Sequence, residues 1–179
     1  MVGILTKTSK ETMMKDEMKV LDVLEQHGNE SVDKIAKRCG ISRQKVWRIV
    51  KRLDEKKIIW GYAAIADEEA KDLKHFVLLM KRSMVSVDTS MQEEIVLKKL
   101  DARLPDLVKV EDIFVTHGNY NWVVTFYAPD LITAKKTLET ISNQGLGKYF
   151  DEYLLLETLF PIRKKGFKNP QIKKLVEYI

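Results

Sequence analysis

Apolar residues recur with helical spacing near the start of the chain. Met14, Met18 and Leu21 stand at i, i+4 and i+7, which predicts an amphipathic helix over residues 12–27. Residues 1–10 show no such period and are expected to fray.

Two short helices joined by a tight turn are predicted next. Ser31 can cap the first, which should run to about Arg38. Gly40 suits the turn, because a tight turn needs positive φ. Ser42 is predicted to cap the following helix. Its inner face is defined by apolar residues spaced three and four positions apart: Val46, Ile49, Val50 and Leu53.

The period changes after Lys57. The nearly continuous apolar run over residues 58–64 predicts two strands around a short turn, the wing of a winged helix-turn-helix. A polar, charged stretch follows and is expected to be a linker, residues 67–74. The first domain is therefore predicted to span residues 1–66.

The rest of the chain alternates between strand and helix patterns. Strands are predicted over residues 76–80, 108–116, 122–127 and 149–159, and helices over residues 89–103 and from Pro129 onward. The order β-α-β-β-α-β is that of a ferredoxin-like sandwich, so the predicted fold class is α+β. This second domain is assigned to residues 75–160, and a basic extension to residues 161–179. One sheet face would lack helices, which predicts self-association as a homodimer or higher homo-oligomer.

Composition excludes several protein classes. Apolar residues make up 45% of the 179 residues and charged residues 32%, so the chain is globular rather than disordered. No apolar run approaches the roughly 18 residues of a membrane span. A signal peptide is not expected, because no apolar segment follows the lysines near the start of the sequence. A single cysteine, Cys39, excludes an intramolecular disulfide and favours a cytoplasmic location. No cofactor is expected, and scattered histidines make a metal site improbable.

The net charge of +5 is unevenly distributed. Residues 1–66 hold 14 Lys and Arg against 9 Asp and Glu, residues 67–160 hold 11 against 16, and residues 161–179 hold 6 against 1. Nine basic residues fall within residues 37–57. Such a cluster is either a phosphate-binding footprint or a solvated helix face.

Two short helices, a glycine turn and a basic third helix are typical of a helix-turn-helix that binds double-stranded DNA. Arg43 and Gln44, near the start of the third helix, are the predicted base-reading residues. Phosphate contacts are predicted for Lys45, Arg48, Lys51 and Arg52. Ser42 and Lys57 are predicted to lie against the DNA at either end of this helix. Trp47, roughly 100° from Val46 on the wheel, is expected to pack against the first helix or a dimer partner.

The segment 17–62 resembles the N-terminal domain of the Lrp/AsnC (feast/famine) transcriptional regulators. The matching positions are Leu21, Leu24, Ile35, Ala36, Gly40, Ile41, Ser42, Val46, Val50, Leu53, Ile59, Gly61 and Tyr62. The β-α-β-β-α-β half resembles their effector and assembly domain, the RAM domain. The resemblance implies a sequence-specific transcription factor, not an enzyme, with its recognition helix in the major groove. Two positions depart from the family: Ile49 stands where Arg is frequent, and Lys57 where Gly is usual.

The resemblance also implies a small-molecule effector, often an amino acid, near one turn of the second domain. The candidate effector-binding residues are Gly118, Asn119, Tyr120 and Asn121. Asn121 replaces an aspartate of the family and supplies no charge for an ammonium group, which weakens the case for an amino acid. Alternatively, the two asparagines serve only the β-turn.

Two other functions are compatible with this layout. Tetrapyrrole (sirohaem) decarboxylases have a similar two-domain arrangement, but they need converging Arg and His side chains. Residues 67–160 offer only His75, His117, Arg82 and Arg103. A DNA-compacting architectural protein would bind without sequence preference.

Overall fold

The structure is a computed structural model and describes residues 7–86, 104–143 and 147–179. The chain divides into two compact units, Met1–Ala64 and Ile65–Ile179. Helices form the first unit, and an antiparallel sheet with a helix packed on it forms the second. The fold class is therefore α+β, as predicted.

Three helices build the first unit: α1 (Lys7–His27), α2 (Val32–Cys39) and α3 (Arg43–Glu55). Helix α1 begins five residues before the predicted start at Thr12. The spacing of apolar residues identifies only the part of a helix that packs on other elements. Polar residues with high helix propensity can extend the helix beyond that part. All three helices contribute to one core, made of Val20, Leu24, Ile35, Ala36, Cys39, Val46, Ile49 and Leu53.

Local capping fixes the starts of α2 and α3. The Ser31 hydroxyl accepts a hydrogen bond from the backbone N–H of Lys34 at 3.4 Å. The Ser42 hydroxyl does the same for Lys45 at 3.3 Å. Gly40 adopts φ 63°, in the left-handed region that favours glycine. The predicted caps and turn are confirmed.

The predicted wing strands do not form: residues 56–67, all described, contain no strand. Lys57 adopts φ 56°, and backbone N–H groups just beyond it donate to the carbonyl of Leu53. Ile59 then packs on the helical core, while Trp60 is 93% exposed. A two-stranded hairpin with nothing packed on it is marginal, so this run remains irregular.

Four antiparallel strands build the sheet of the second unit: β1 (Lys74–Arg82), β2 (Lys109–Val115), β3 (Trp122–Ala128) and β4 (Phe150–Glu157). Each lies within two residues of its predicted ends. The spatial order is β2-β3-β1-β4, so β1 is paired on both edges. Helix α4 (Leu131–Ile141) connects β3 to β4. The helix predicted over residues 89–103 lies outside the described residues.

Helix α4 packs on one face of the sheet. Phe76 and Leu78 of β1 and Phe126 of β3 are fully buried in a core that includes Ala134 and Ile141 of α4. These strand residues alternate with outward positions, as the pleat requires. The buried core therefore lies between the sheet and this helix.

The start of α4 differs from the prediction. Pro129 is not the first helical residue as predicted, because Asp130 caps the helix: its carboxylate accepts a hydrogen bond from the backbone N–H of Thr133 at 2.7 Å. That bond lowers the pKa of Asp130. Pro129 consequently lies one residue before the cap, because a carboxylate can satisfy a free helix N–H and proline cannot.

The opposite face of the sheet, here called the open face, carries no helix among the described residues. Cross-strand partners place apolar side chains together on it: Val77, Leu79, Phe114, Val123, Leu154 and Leu156. Phe114 and Leu156 are 49% and 45% exposed. This is the free apolar face that the strand order predicts.

The basic extension is folded against the second unit. Strands β5 (Arg163–Lys164) and β6 (Phe167–Lys168) form a hairpin, and a 3₁₀ helix (Ile172–Glu177) follows. Lys165 and Gly166 form the two-residue turn with φ 46° and 86°, which fits a type I′ hairpin.

One lysine of this hairpin reaches the segment predicted as a linker. The Lys164 ammonium pairs with the carboxylate of Glu68 and lies 5.3 Å from the ring centroid of Tyr127. Glu68 begins a 3₁₀ helix, Glu68–Lys71, so this segment is folded rather than extended.

Candidate nucleic-acid interface

Helix α3 has three different faces, because residues three, four and seven apart project together. Val46, Ile49 and Leu53 are at most 3% exposed and anchor the helix in the core. A second face meets α1, and a third is open to solvent. The burial of Ile49 explains why this position carries no charge.

Two of the predicted phosphate-binding residues face α1. The Lys45 ammonium pairs with Asp16, and the Arg52 guanidinium pairs with Glu17. The acid side chains are only 17% and 19% exposed. Both cations are partly exposed, at 39% and 32%, and their ion pairs join α3 to α1.

A third basic residue of the 37–57 cluster is also paired. Arg38 donates two hydrogen bonds to the Glu30 carboxylate, at 2.8 Å and 2.7 Å. This bidentate pair lowers the pKa of Glu30 and ties α2 to the loop after α1. The basic cluster is thus partly a set of ion pairs within the unit.

The remaining polar side of α3, here called the exposed face, consists of Gln44, Trp47, Arg48 and Lys51. Arg48 forms no ion pair with any residue that the structure describes. Lys51 lies 3.8 Å from the carboxylate of Glu55, with its Nζ 5.5 Å from the Trp47 ring centroid. Trp47 is 56% exposed and is not among the residues packed on the helical core, while its packing against a dimer partner stays a prediction.

The two ends of α3 are accessible as well. Arg43 lies 3.6 Å from Asp33, and both side chains are more than half exposed. An exposed pair of this kind contributes little free energy, so Arg43 can exchange Asp33 for another acceptor. Ser42 precedes it as the cap, and Lys57 is exposed at the other end.

This arrangement presents donors suited to nucleic acid. Guanidinium groups bind guanine edges, the glutamine amide binds adenine, and the cations bind phosphate oxygens. The positive end of the helix dipole lies at Ser42 and adds to the attraction for a phosphate.

Comparison with known proteins identifies the same unit. The family described as winged helix-turn-helix DNA-binding matches residues 17–59. The transcriptional regulatory protein DoeX of Halomonas elongata is 23% identical over 147 residues, covering 80% of this chain and 87% of that protein. The leucine-responsive regulatory protein of Haemophilus influenzae is 23% identical over 124 residues, covering 69% and 71%.

Solved structures share the fold across both units. An AsnC family transcriptional regulator from Agrobacterium tumefaciens matches with a TM-score of 0.64 at 16% identity, covering 92% of this chain and 97% of that one. A feast or famine regulatory protein from M. tuberculosis complexed with L-methionine matches with a TM-score of 0.63 at 18% identity, covering 84% and 94%. The chain therefore contains a winged helix-turn-helix segment and shares the fold of transcriptional regulators of the Lrp/AsnC type.

The candidate effector turn of the second unit is held by internal hydrogen bonds. The Asn121 side chain accepts from the backbone N–H of Arg82 at 2.9 Å and donates to the carbonyl of Gly118 at 3.3 Å. The Tyr120 hydroxyl donates to Glu152 at 2.7 Å, and Asn119 is exposed. The bond to Gly118 fits the alternative that Asn121 serves the β-turn, and the bond to Arg82 also joins this turn to the end of β1.

The two candidate histidines of the rival enzyme lie at opposite ends of the sheet. His75 pairs with Tyr127 across β1 and β3, whereas His117 lies in the turn beyond the opposite end of that ladder. Arg103 lies outside the described residues. His75 contacts Thr158 at 2.6 Å and Glu111 at 3.4 Å, and burial lowers its pKa.

Sequence reasoning missed two features of the protein. Trp47 follows Gln44 by three residues and precedes Lys51 by four, and this spacing was the available signal for the exposed face. The cluster of Glu68, Tyr127 and Lys164 joins distant segments and leaves no local pattern. In the part of the chain that the structure describes, no helix meets the length and apolarity of a membrane span.

Proposed function

We propose that the protein is a transcriptional regulator of the Lrp/AsnC type that acts in the cytoplasm. It recognises a specific DNA sequence by placing the exposed face of α3 in the major groove. The observation that carries the proposal is the division of the polar residues of α3. Lys45 and Arg52 are bound to α1, while Gln44, Arg48 and Lys51 project into solvent. One side of the helix is thus left to contact DNA.

The position of each side chain suggests its role. Arg43 and Gln44 lie in the first turn of α3, which enters the groove deepest, and are assigned to base edges. Arg48, Lys51 and Lys57 are assigned to phosphates. Ser42 is assigned to capping, with its backbone beside the DNA. In this proposal Lys45 and Arg52 make no phosphate contact.

Binding-site selection from random duplexes tests this function. The wild-type protein should enrich one half-site, repeated with two-fold symmetry. Arg43→Ala and Gln44→Ala should lose the preference for that half-site, whereas Lys51→Ala should weaken binding to all duplexes equally. A protein that enriches no sequence but still binds every duplex is an architectural DNA-binding protein, and the proposal is then wrong.

We further propose that two copies assemble through the open face. Val77, Leu79 and Leu156 are among the apolar side chains there that no described helix covers, and a second copy would bury them. Leu156→Lys should shift the protein toward the monomer in analytical ultracentrifugation. Ile132→Lys, at a 66% exposed position on α4, is the matched control and should leave the assembly unchanged.

An amino-acid effector at the turn of residues 118–121 stays a prediction. Its support is a relative in fold that is complexed with L-methionine. Thermal-shift titration with the individual L-amino acids tests it. A shift in the wild type that is lost in Tyr120→Phe places the effector at this turn, and the absence of any shift removes the site.

A further inference from the structure

Trp47 is an unusual residue for the surface that it occupies. Its side chain is 56% exposed, and it is not among the residues that pack on the helical core. Its neighbours on the exposed face are Gln44, Arg48 and Lys51. A large apolar ring therefore lies within the group of polar side chains that face DNA in the proposed function.

The environment of the ring favours DNA over a protein partner. The Lys51 Nζ lies 5.5 Å from the ring centroid, and Arg48 is adjacent in sequence. One cation beside the ring and a second on the same exposed face complement a polyanion, whose phosphates would pair with them while the ring faces the bases. In the major groove, the apolar feature of a base pair is the 5-methyl group of thymine.

We propose that Trp47 contacts a thymine 5-methyl group and so determines part of the sequence preference, an inference that rests on the DNA binding proposed above. Gln44, one turn earlier on the same face, would read the base on one side of this thymine. Lys51, one turn later, would bind the phosphate on the other side. The ring then lies between a base-reading group and a phosphate-binding group.

Methyl removal from DNA tests the contact directly. The duplex is the half-site selected by the full-length wild-type protein, with each thymine replaced singly by deoxyuridine, which keeps base pairing and lacks only the methyl group. At one position the wild type should lose affinity about fourfold, the effect expected for burial of one methyl group. Trp47→Ala should bind both duplexes equally, with about the affinity of the wild type for the deoxyuridine duplex.

Arg48→Ala is the matched control. It removes a cation from the same face and leaves the indole, so it should bind more weakly yet retain the fourfold sensitivity to the methyl group. The thermal midpoint of Trp47→Ala should equal that of the wild type, because the ring lies outside the core.

The outcomes separate this inference from the proposed function. If the wild type enriches a half-site but no thymine methyl matters, or if Trp47→Ala keeps the same methyl sensitivity, the Trp47 inference is wrong and the proposed function stands. If the wild type enriches no sequence, both are wrong. The contact is supported if Trp47→Ala loses the sensitivity to the thymine methyl group and Arg48→Ala retains it.

Discussion

The salt dependence of DNA binding should distinguish the two polar sides of α3. Arg48→Gln and Lys51→Gln remove cations from the exposed face. Lys45→Gln and Arg52→Gln remove cations that are paired with α1. All four changes subtract one charge from the same helix, so their different effects can come only from where each side chain lies.

The expected magnitude follows from counterion release. Each neutralised phosphate contributes about 0.9 to the slope of log K against log salt. The measured ratio is the affinity at about 50 mM salt divided by the affinity at about 200 mM salt. Loss of one phosphate contact should reduce this ratio by about 3.5-fold, and the Arg48→Gln/Lys51→Gln double variant should reduce it by about 12-fold. Lys45→Gln and Arg52→Gln should leave the slope unchanged. Each should lower the free energy of unfolding by about 0.5–1 kcal/mol, since the ion pair with α1 is lost.

Fluorescence anisotropy with a labelled duplex, at four or more salt concentrations, measures the slopes. Urea denaturation measures the free energies of unfolding. Lys19→Gln, at an exposed position of α1, controls for the loss of a charge elsewhere on the unit. Equal decreases in slope for all four α3 variants would refute the assignment, because Lys45 and Arg52 would then contact phosphates as well.

Three further predictions concern stability. Gly40→Ala should destabilise the protein by about 1–2 kcal/mol in urea denaturation, because φ 63° places an added Cβ in the left-handed region; a neutral result would contradict that backbone conformation. Ser42→Ala should cost about 1 kcal/mol in the same assay and Ser42→Asp should restore it, since the loss is that of a helix cap; failure of aspartate to restore stability would argue against capping. Burial lowers the pKa of His75 in the folded state, so the unfolded state takes up the proton first as the pH falls below about 6.5. The free energy of unfolding should therefore be highest above that pH and should decline with acidification. His75→Gln should flatten this decline between pH 7.5 and 5.5, and parallel pH curves for the wild type and the variant would exclude His75 as its source.

The helix-turn-helix could be predicted because its determinants are local. Ser31, Gly40 and Ser42 act on backbone groups within a few residues, and the sequence displays those groups directly. The division of the polar residues of α3 could not be predicted in the same way. The wheel separates apolar from polar positions, but only packing against Asp16 and Glu17 shows which polar residues face α1.

The second unit shows the same limit at longer range. Alternation identified the strands within two residues, yet the partner of Asn121 is the backbone of Arg82, which lies 39 residues away. An asparagine at position 121 is compatible with a turn and with a ligand contact, so the residue type does not distinguish the two roles. The prediction of two wing strands was wrong because residues with high β propensity form a strand only beside a partner strand. Ile59 packs on the helical core instead.

The placement of β1 has a consequence for synthesis. This strand is central, yet one of its two neighbours, β4, begins only at Phe150. Its sheet cannot be completed until nearly the whole chain has left the ribosome, and long-range strand pairing is slow. The three helices before Ala64 depend on near neighbours and can fold as soon as they emerge. During translation, the protein should therefore acquire helix α3 before the open face exists.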